Sequence, residues 1–188
     1  LSIAPYWYDV NDNKKTWTNK QIVQRSCGKF RREWENSSMK DKSYTPENYP
    51  ILRYGDVLLM LAEAENEAHQ GPTDLAYECI NEIRQRAGIS KLEGLSYTDF
   101  QQAVRDERAR ELCFESLRKY DLVRWGIYVE AVHDKLGAAT QDKRWATGNQ
   151  FIGARDYAAR TQEKHQFLPI PTKELDVNGK LEQNKYWQ

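Results

Sequence analysis

The 188-residue chain has no surplus of charge of either sign, with 28 Lys and Arg against 28 Asp and Glu. A compact nucleic-acid binder usually carries a basic excess, so that class of partner is excluded. Long hydrophobic runs are also missing. The longest, Val57-Leu58-Leu59-Met60-Leu61-Ala62, falls far short of the roughly 20 residues that span a bilayer, and no transmembrane segment is expected in this chain. Cysteine is scarce. The three cysteines are odd in number and include no C-x-x-C pair, which argues against a disulfide framework. The start, Leu1-Ser2-Ile3-Ala4-Pro5, lacks a methionine, a basic segment and an apolar segment, and reads as a processed or excised chain. Cys27-Gly28 does not read as a lipidation site, because Gln24 and Arg25 stand where an apolar signal should end. The chain has no G-x-S-x-G, no G-x-x-x-x-G-K-[ST] and no G-x-G-x-x-G. His69, His133 and His165 are scattered without metal-ligand spacing. No catalytic residue, metal ligand or cofactor is therefore nominated.

What the chain does have is aromatics at 12 % and charged residues at 30 %. Its mean hydropathy of −0.88 describes a wet surface. Disordered tails are aromatic-poor and carry high net charge, so most of this chain is expected to fold. Residues 1–49 show no helical period, yet they hold Tyr6, Trp7, Tyr8, Trp17, Phe30, Trp34, Tyr44 and Tyr49. A long irregular segment so rich in rings is expected to pack over a scaffold, with short strands. From residue 50 the pattern turns helical. Ile51 to His69 predicts one helix, with Ile51, Tyr54, Leu58, Leu61, Ala62 and Ala68 near one face. Gly71-Pro72 stops it. Thr73 caps a second helix that ends near Ala87-Gly88, so the two form a helical hairpin. Ser96 caps a third helix running to about Arg118. Asp121 to Leu136 reads as helical with a break at Gly126. Residues 137–166 read as polar and irregular, anchored by Trp145, Phe151 and Tyr157. Phe167-Leu168-Pro169-Ile170-Pro171 must be extended, because each proline biases its predecessor away from the helix. Thr172 to Leu175 reads as a short turn. The expected organisation is an aromatic segment (1–49), a helical core (50–136) and a loop-rich C-terminal segment of the same domain (137–188).

The densest charge cluster runs from Arg105 to Glu111 and on through Glu115, Arg118, Asp121 and Arg124. Glu107, Glu111 and Glu115 repeat every four residues and are expected on one helical face. Three aligned carboxylates could serve acid–base or metal chemistry. A di-metal bundle site needs two Glu-x-x-His motifs on separate helices, and this chain has one, Glu130 to His133. The favoured reading is an ion-pair ladder that fixes helix packing, with Arg53, Arg84 and Arg86 as its cations.

The best ligand candidate is the aromatic segment. Tyr6-Trp7-Tyr8-Asp9 is followed by Asn11, Asp12, Asn13 and then Trp17. A flat ring offers an apolar face to the C–H face of a sugar, and neighbouring amides and carboxylates can bond its hydroxyls. The competing reading is that the rings merely pin the segment to the helices. The candidate ligand residues are Tyr6, Trp7, Tyr8, Asn11, Trp17 and Trp34.

From about Lys29 onward the chain resembles the C-terminal region of the RagB/SusD family. Four segments in order carry the resemblance. Tyr49-Pro50-Ile51-Leu52-Arg53-Tyr54-Gly55-Asp56-Val57-Leu58-Leu59-Met60-Leu61-Ala62-Glu63-Ala64 is the first. Ile80-Asn81-Glu82-Ile83-Arg84-Gln85-Arg86-Ala87-Gly88 is the second. The third comprises Glu107-Arg108, Glu111-Leu112, Phe114-Glu115, Arg118, Asp121-Leu122 and Arg124-Trp125-Gly126. The fourth is Phe167-Leu168-Pro169-Ile170-Pro171, Glu174 and Gln183-Asn184, although Lys185-Tyr186 stands where the family usually has Pro-Gly. These are scaffold segments.

The resemblance implies a mainly α fold. Helical hairpins of a tetratricopeptide-related, SusD-like scaffold carry long irregular loop insertions. It implies that the chain is the C-terminal piece of an outer-membrane lipoprotein exposed at the bacterial cell surface, with the lipid anchor in the missing N-terminal part. It also implies non-catalytic binding of oligosaccharide or polysaccharide nutrient. The partner it implies is a TonB-dependent outer-membrane transporter of the SusC-like kind. Two rival functions remain. One is a helical protein–protein interaction scaffold without glycan binding. The other is a glycoside-active enzyme using two carboxylates, for which no short motif exists.

Overall fold

The structure is a computed structural model that describes residues 5–9, 11, 13–18, 21, 25, 27–35, 45–140 and 149–188. Tyr44, Asp12, Trp145 and the side chain of Phe151, all singled out above, lie outside the described residues. The chain divides into two compact units. One is Leu1–Trp17 with Arg25–Arg118, and the other is Thr18–Gln24 with Lys119–Gln188.

In the first unit β1 (Tyr6–Tyr8) and β2 (Lys14–Thr16) form an antiparallel hairpin, with Trp7 opposite Lys15. Three helices follow: α1 (Tyr54–His69), α2 (Asp74–Arg86) and α3 (Tyr97–Glu111). The predicted caps are present. The Thr73 hydroxyl accepts from the Ala76 N–H at 3.1 Å, and Ser96 accepts from the Asp99 N–H at 3.2 Å. At the end of α2, Gly88 takes φ +73, a left-handed turn that glycine adopts without strain. It lets the Ile89 N–H reach back to the Arg84 carbonyl at 3.0 Å. The core joins Leu58, Leu59 and Ala62 of α1 to Ala76, Cys79, Ile80 and Ile83 of α2 and Phe100 and Val104 of α3. Tyr77 meets Phe100 edge to face at 5.0 Å.

Two expectations are corrected here. The buried face of α1 holds Asp56, Leu58, Leu59, Ala62 and Asn66, whereas Ile51, Tyr54 and Leu61 are exposed. An unbroken apolar run does not reveal which side faces inward, and here the inward side carries two polar residues. The third helix stops at Glu111 instead of Arg118. Phe114 and Ser116 sit at φ +66 and +60, outside the helical region, so Glu115 lies in a turn.

The second unit holds α4 (Arg118–Arg124) and α5 (Tyr128–Ala131), separated at Gly126 as the sequence predicts. A π turn over Val132–Leu136 leads into α6 (Gly137–Ala139). An unforeseen helix, α7 (Asn149–Arg160), lies within the stretch that reads as irregular. Among its described side chains Ala158 alone is buried, a small residue that gives a faint apolar period. Leu122, Tyr128, Val132 and Ala158 form this unit's core.

The C-terminal segment is strapped by side-chain amides. Gln183 accepts from the Ile170 N–H at 2.8 Å and donates to its carbonyl at 3.0 Å. Asn184 donates to the Leu168 carbonyl at 2.6 Å. The prolines at 169 and 171 lack an N–H, so Ile170 offers the donor for this pairing. Thr172–Val177 forms α8, slightly longer than the predicted turn.

Candidate functional site: an aromatic hairpin and a charged floor

Side chains alternate across a strand, so Tyr6 and Tyr8 share one face of β1 and Trp7 takes the other. Trp17 lies two residues beyond Trp7's partner Lys15 and so returns to the Trp7 face. The two indoles meet at 5.6 Å with 32° between their planes. Both are half-buried. Their N–H groups are out of solvent contact and have no acceptor among the described residues. Asn11 sits at the exposed tip. There Asp9 accepts from the backbone N–H of Asn11 at 2.9 Å and of Asn13 at 3.0 Å. The Asn13 backbone bond is the main reason the Asp9 carboxyl is held below its ordinary range.

On the other face the tyrosines meet the Arg32–Trp34 turn. The Tyr6 hydroxyl donates to Glu33 at 2.8 Å and the Tyr8 hydroxyl at 3.3 Å. The bond to Glu33 raises the Tyr6 phenol above its ordinary pKa. Arg31 pairs with Glu33 at 2.7 Å, and its guanidinium lies 4.1 Å from the Tyr6 ring centre and 5.6 Å from that of Trp34. Lys14 covers the same Tyr6 ring at 3.7 Å. Tyr8 is 46 % exposed and Trp34 63 %.

The six sequence candidates thus split by surroundings. Tyr6, Tyr8 and Trp34 gather around Arg31 and Glu33, Trp7 and Trp17 stack on each other, and Asn11 stands at the hairpin tip. The sequence does not single out Arg31, Glu33 or Lys14. The one available signal is the Arg31-Arg32-Glu33-Trp34 run, and nothing in it announces a partner some 25 residues away.

The carboxylate series forms the expected ladder. Arg84 pairs with Glu107 at 2.7 Å. Arg53 bonds Glu111 at 2.6 Å and Glu115 at 2.7 Å, and Arg86 reaches Glu111 at 2.5 Å. Lys29 also pairs with Glu115 and donates to the Glu111 carbonyl at 2.6 Å. Asp56 and Arg108 form a further pair at 2.8 Å, both side chains buried. Gly55 is part of this array by its lack of a side chain. A Cβ there would stand 2.7 Å from the Arg53 guanidinium and 3.3 Å from the Glu111 carboxylate. Burial pushes the Glu115 carboxyl up, but hydrogen bonds and charge from Arg53 and Lys29 outweigh it and hold the group below its ordinary value. Among the described residues no three His, Cys, Asp or Glu side chains gather as a metal site. No described helix is long and apolar enough to cross a membrane.

The described residues thus form helices stacked on short turns, tied by buried ion pairs and bearing an aromatic surface. Residues 4–187 match the SusD family model, and the chain belongs to that family. It is 40 % identical over 139 residues to SusD-like protein P25 of Formosa agariphila, covering 72 % of this chain and 23 % of that protein. It is 29 % identical over 148 residues to SusD-like protein P2 of the same organism, covering 73 % of this chain and 25 % of that protein. The crystal structure of a SusD homolog from Bacteroides thetaiotaomicron superimposes with a TM-score of 0.77 at 32 % identity, over 98 % of this chain and 39 % of that one. A SusD superfamily protein from Bacteroides vulgatus gives 0.56 at 30 % identity, over 78 % of this chain and 29 % of that one. The chain thus spans about a quarter of the length of the two Formosa relatives.

Proposed function

We propose that this chain takes part in non-catalytic capture of oligosaccharide or polysaccharide nutrient at the bacterial cell surface. The protein that contains it is anchored by lipid to the outer membrane and passes its ligand to a TonB-dependent transporter. The observation that carries this reading is the ring cluster around Arg31 and Glu33. Half-exposed Tyr8 and exposed Trp34 flank a paired guanidinium and carboxylate. Rings supply apolar contact with sugar C–H faces, and the charged pair supplies directional donors and acceptors. Individual sites of this kind are weak, and a polymeric ligand with surface tethering adds avidity. Glu115 is poorly suited to act as the general acid of a hydrolase. A general acid needs a raised pKa, and Glu115 is held low by its cations.

Affinity electrophoresis against a polysaccharide panel tests the proposal. One or more polymers should retard the chain, and Trp34→Ala, at the exposed ring of the cluster, should weaken that retardation while circular dichroism stays unchanged. Release of reducing ends during long incubation would instead identify an enzyme. A second reading, a protein-binding scaffold, draws on the exposed stripe Tyr54, Val57 and Leu61 along α1. It predicts no retardation by any sugar polymer.

A further inference from the structure

The second unit contains a cleft of about 400 Å³ lined from α4, α5, α7 and the start of the C-terminal strap, within the rough 300–1,000 Å³ range of ligand pockets. Its apolar surface comes from Tyr157, Phe167 and Leu168, which are 49 %, 55 % and 79 % exposed. The last two stand on a fastened backbone. Trp187 Nε1 donates to the Phe167 carbonyl at 3.1 Å, and Asn184 holds that of Leu168. The polar groups of the cleft have donors to spare. The hydroxyls of Tyr128 and Tyr157 bond each other. Burial and that bond push the Tyr128 phenol up to about 12, so it keeps its proton at neutral pH, as an ordinary phenol does. One bond between two hydroxyls uses one of their two protons, and the other has no acceptor among the described residues. His165 accepts the Gln162 N–H on Nδ1 at 2.8 Å, so its neutral ring carries a proton on Nε2, again without a described acceptor. Lys119 sets its amine 5.4 Å from the centre of the Tyr128 ring, and Arg160 also lines the cleft. Neither cation has an ion-pair partner among the described residues, and Asp156, the one carboxylate of the described lining, pairs with neither. Two positive charges thus stand against one negative charge. A donor surplus with net positive charge suits a ligand of acceptor oxygens that carries negative charge, and the exposed rings suit one with an apolar face.

We propose that this cleft of the second unit binds an anionic sugar unit, a uronate or a sulfated residue. Its acid meets the Lys119 amine and the spare hydroxyl proton of the tyrosine pair, and the C–H face of its ring lies on Phe167. The inference rests on the glycan-binding reading above and adds to it a charge class and a second contact region, apart from the ring cluster around Arg31. A neutral sugar fits the rings but gains nothing from the surplus charge. An acidic sugar uses both.

The test is calorimetric titration of the chain with galacturonate oligosaccharides, the same oligosaccharides methyl-esterified, and sulfated galactose oligosaccharides. At least one charged ligand should bind about tenfold more tightly than the esterified one, the expected effect of one charge-assisted hydrogen bond. The more tightly bound of the two names the acid, carboxylate or sulfate. Lys119→Gln combined with Arg160→Gln, both at exposed positions, should erase that margin with circular dichroism unchanged. Lys119→Arg should keep part of it, and added salt should shrink it. Phe167→Ala, a change at an exposed ring, should weaken every charged ligand. Trp34→Ala should leave the margin in place, because Trp34 belongs to the first unit. Affinity for charged sugars no higher than for esterified ones would overturn the acidic subsite and leave the glycan reading standing. So would a margin that survives in the double variant, or one that Trp34→Ala alone abolishes. Failure of every sugar, neutral ones included, would overturn both.

Discussion

Glu115 shows how one side chain can hold a turn in place. It lies in a non-helical stretch, and its carboxylate is gripped by Arg53 and Lys29. Because its folded pKa is lowered, the stability it contributes is fully present above the unfolded glutamate pKa of about 4.3. That stability is lost as pH falls through the lower, folded value. The melting temperature should therefore hold from neutrality down to roughly pH 5 and fall below it. Glu115→Gln should start lower and flatten that acid limb, as a pH series of thermal melts would show. The four-residue spacing made the ladder legible, since carboxylates at such intervals need cations nearby. It did not reveal that the helix ends at Glu111. Phe114 and Ser116 adopt left-handed backbone angles that no local rule anticipates for those residue types. Arg31 and Glu33 were invisible for another reason. Their partners Tyr6 and Tyr8 are distant in sequence, and a single chain carries no record of which distant segments meet.

At the scale of elements, punctuation was more legible than facing. Thr73, Ser96, Gly88 and Gly126 act locally through caps and turns, so their effects follow from residue type. The inward side of α1 depends on what packs there, and an apolar run from Val57 to Ala62 fits several orientations. Helix α7 escaped because its ordered packing centres on a small residue, Ala158, and small residues leave little periodic signal. The prolines make the C-terminal strap legible as extended, but nothing local marks its fastening to Gln183. That fastening makes a sharp prediction. Gln183→Glu keeps the acceptor for the Ile170 N–H, removes the donor to its carbonyl and sets a negative charge against that oxygen. A loss of roughly 1–3 kcal/mol is expected from such a change, read as a lower midpoint in urea denaturation. Gln183→Met, which removes the polar contacts without adding charge, should cost less.

At the scale of the molecule, the charges cancel while the pairs stay ordered. With equal numbers of basic and acidic residues and an isoelectric point near 7.0, the isolated chain has little net charge to keep copies apart at neutral pH. Its solubility should pass through a minimum near pH 7 and rise on either side, as precipitation with polyethylene glycol across a pH series would measure. Family membership was legible because four scaffold segments occur in order along the chain. The ligand surface was legible only as a concentration of rings, since stacking and exposure depend on the fold. The π turn at Val132–Leu136 has a consequence for evolution by insertion and deletion. A π turn is one residue wound into an otherwise regular helix, and each helical residue turns the path by about 100°. The wider turn already absorbs that extra residue, so removing one residue there would let the helix run on as ordinary α with α6 close to its present phase toward α7. The loss of a single codon in a regular stretch of helix, with no such turn to take it up, would instead rotate everything that follows by that angle.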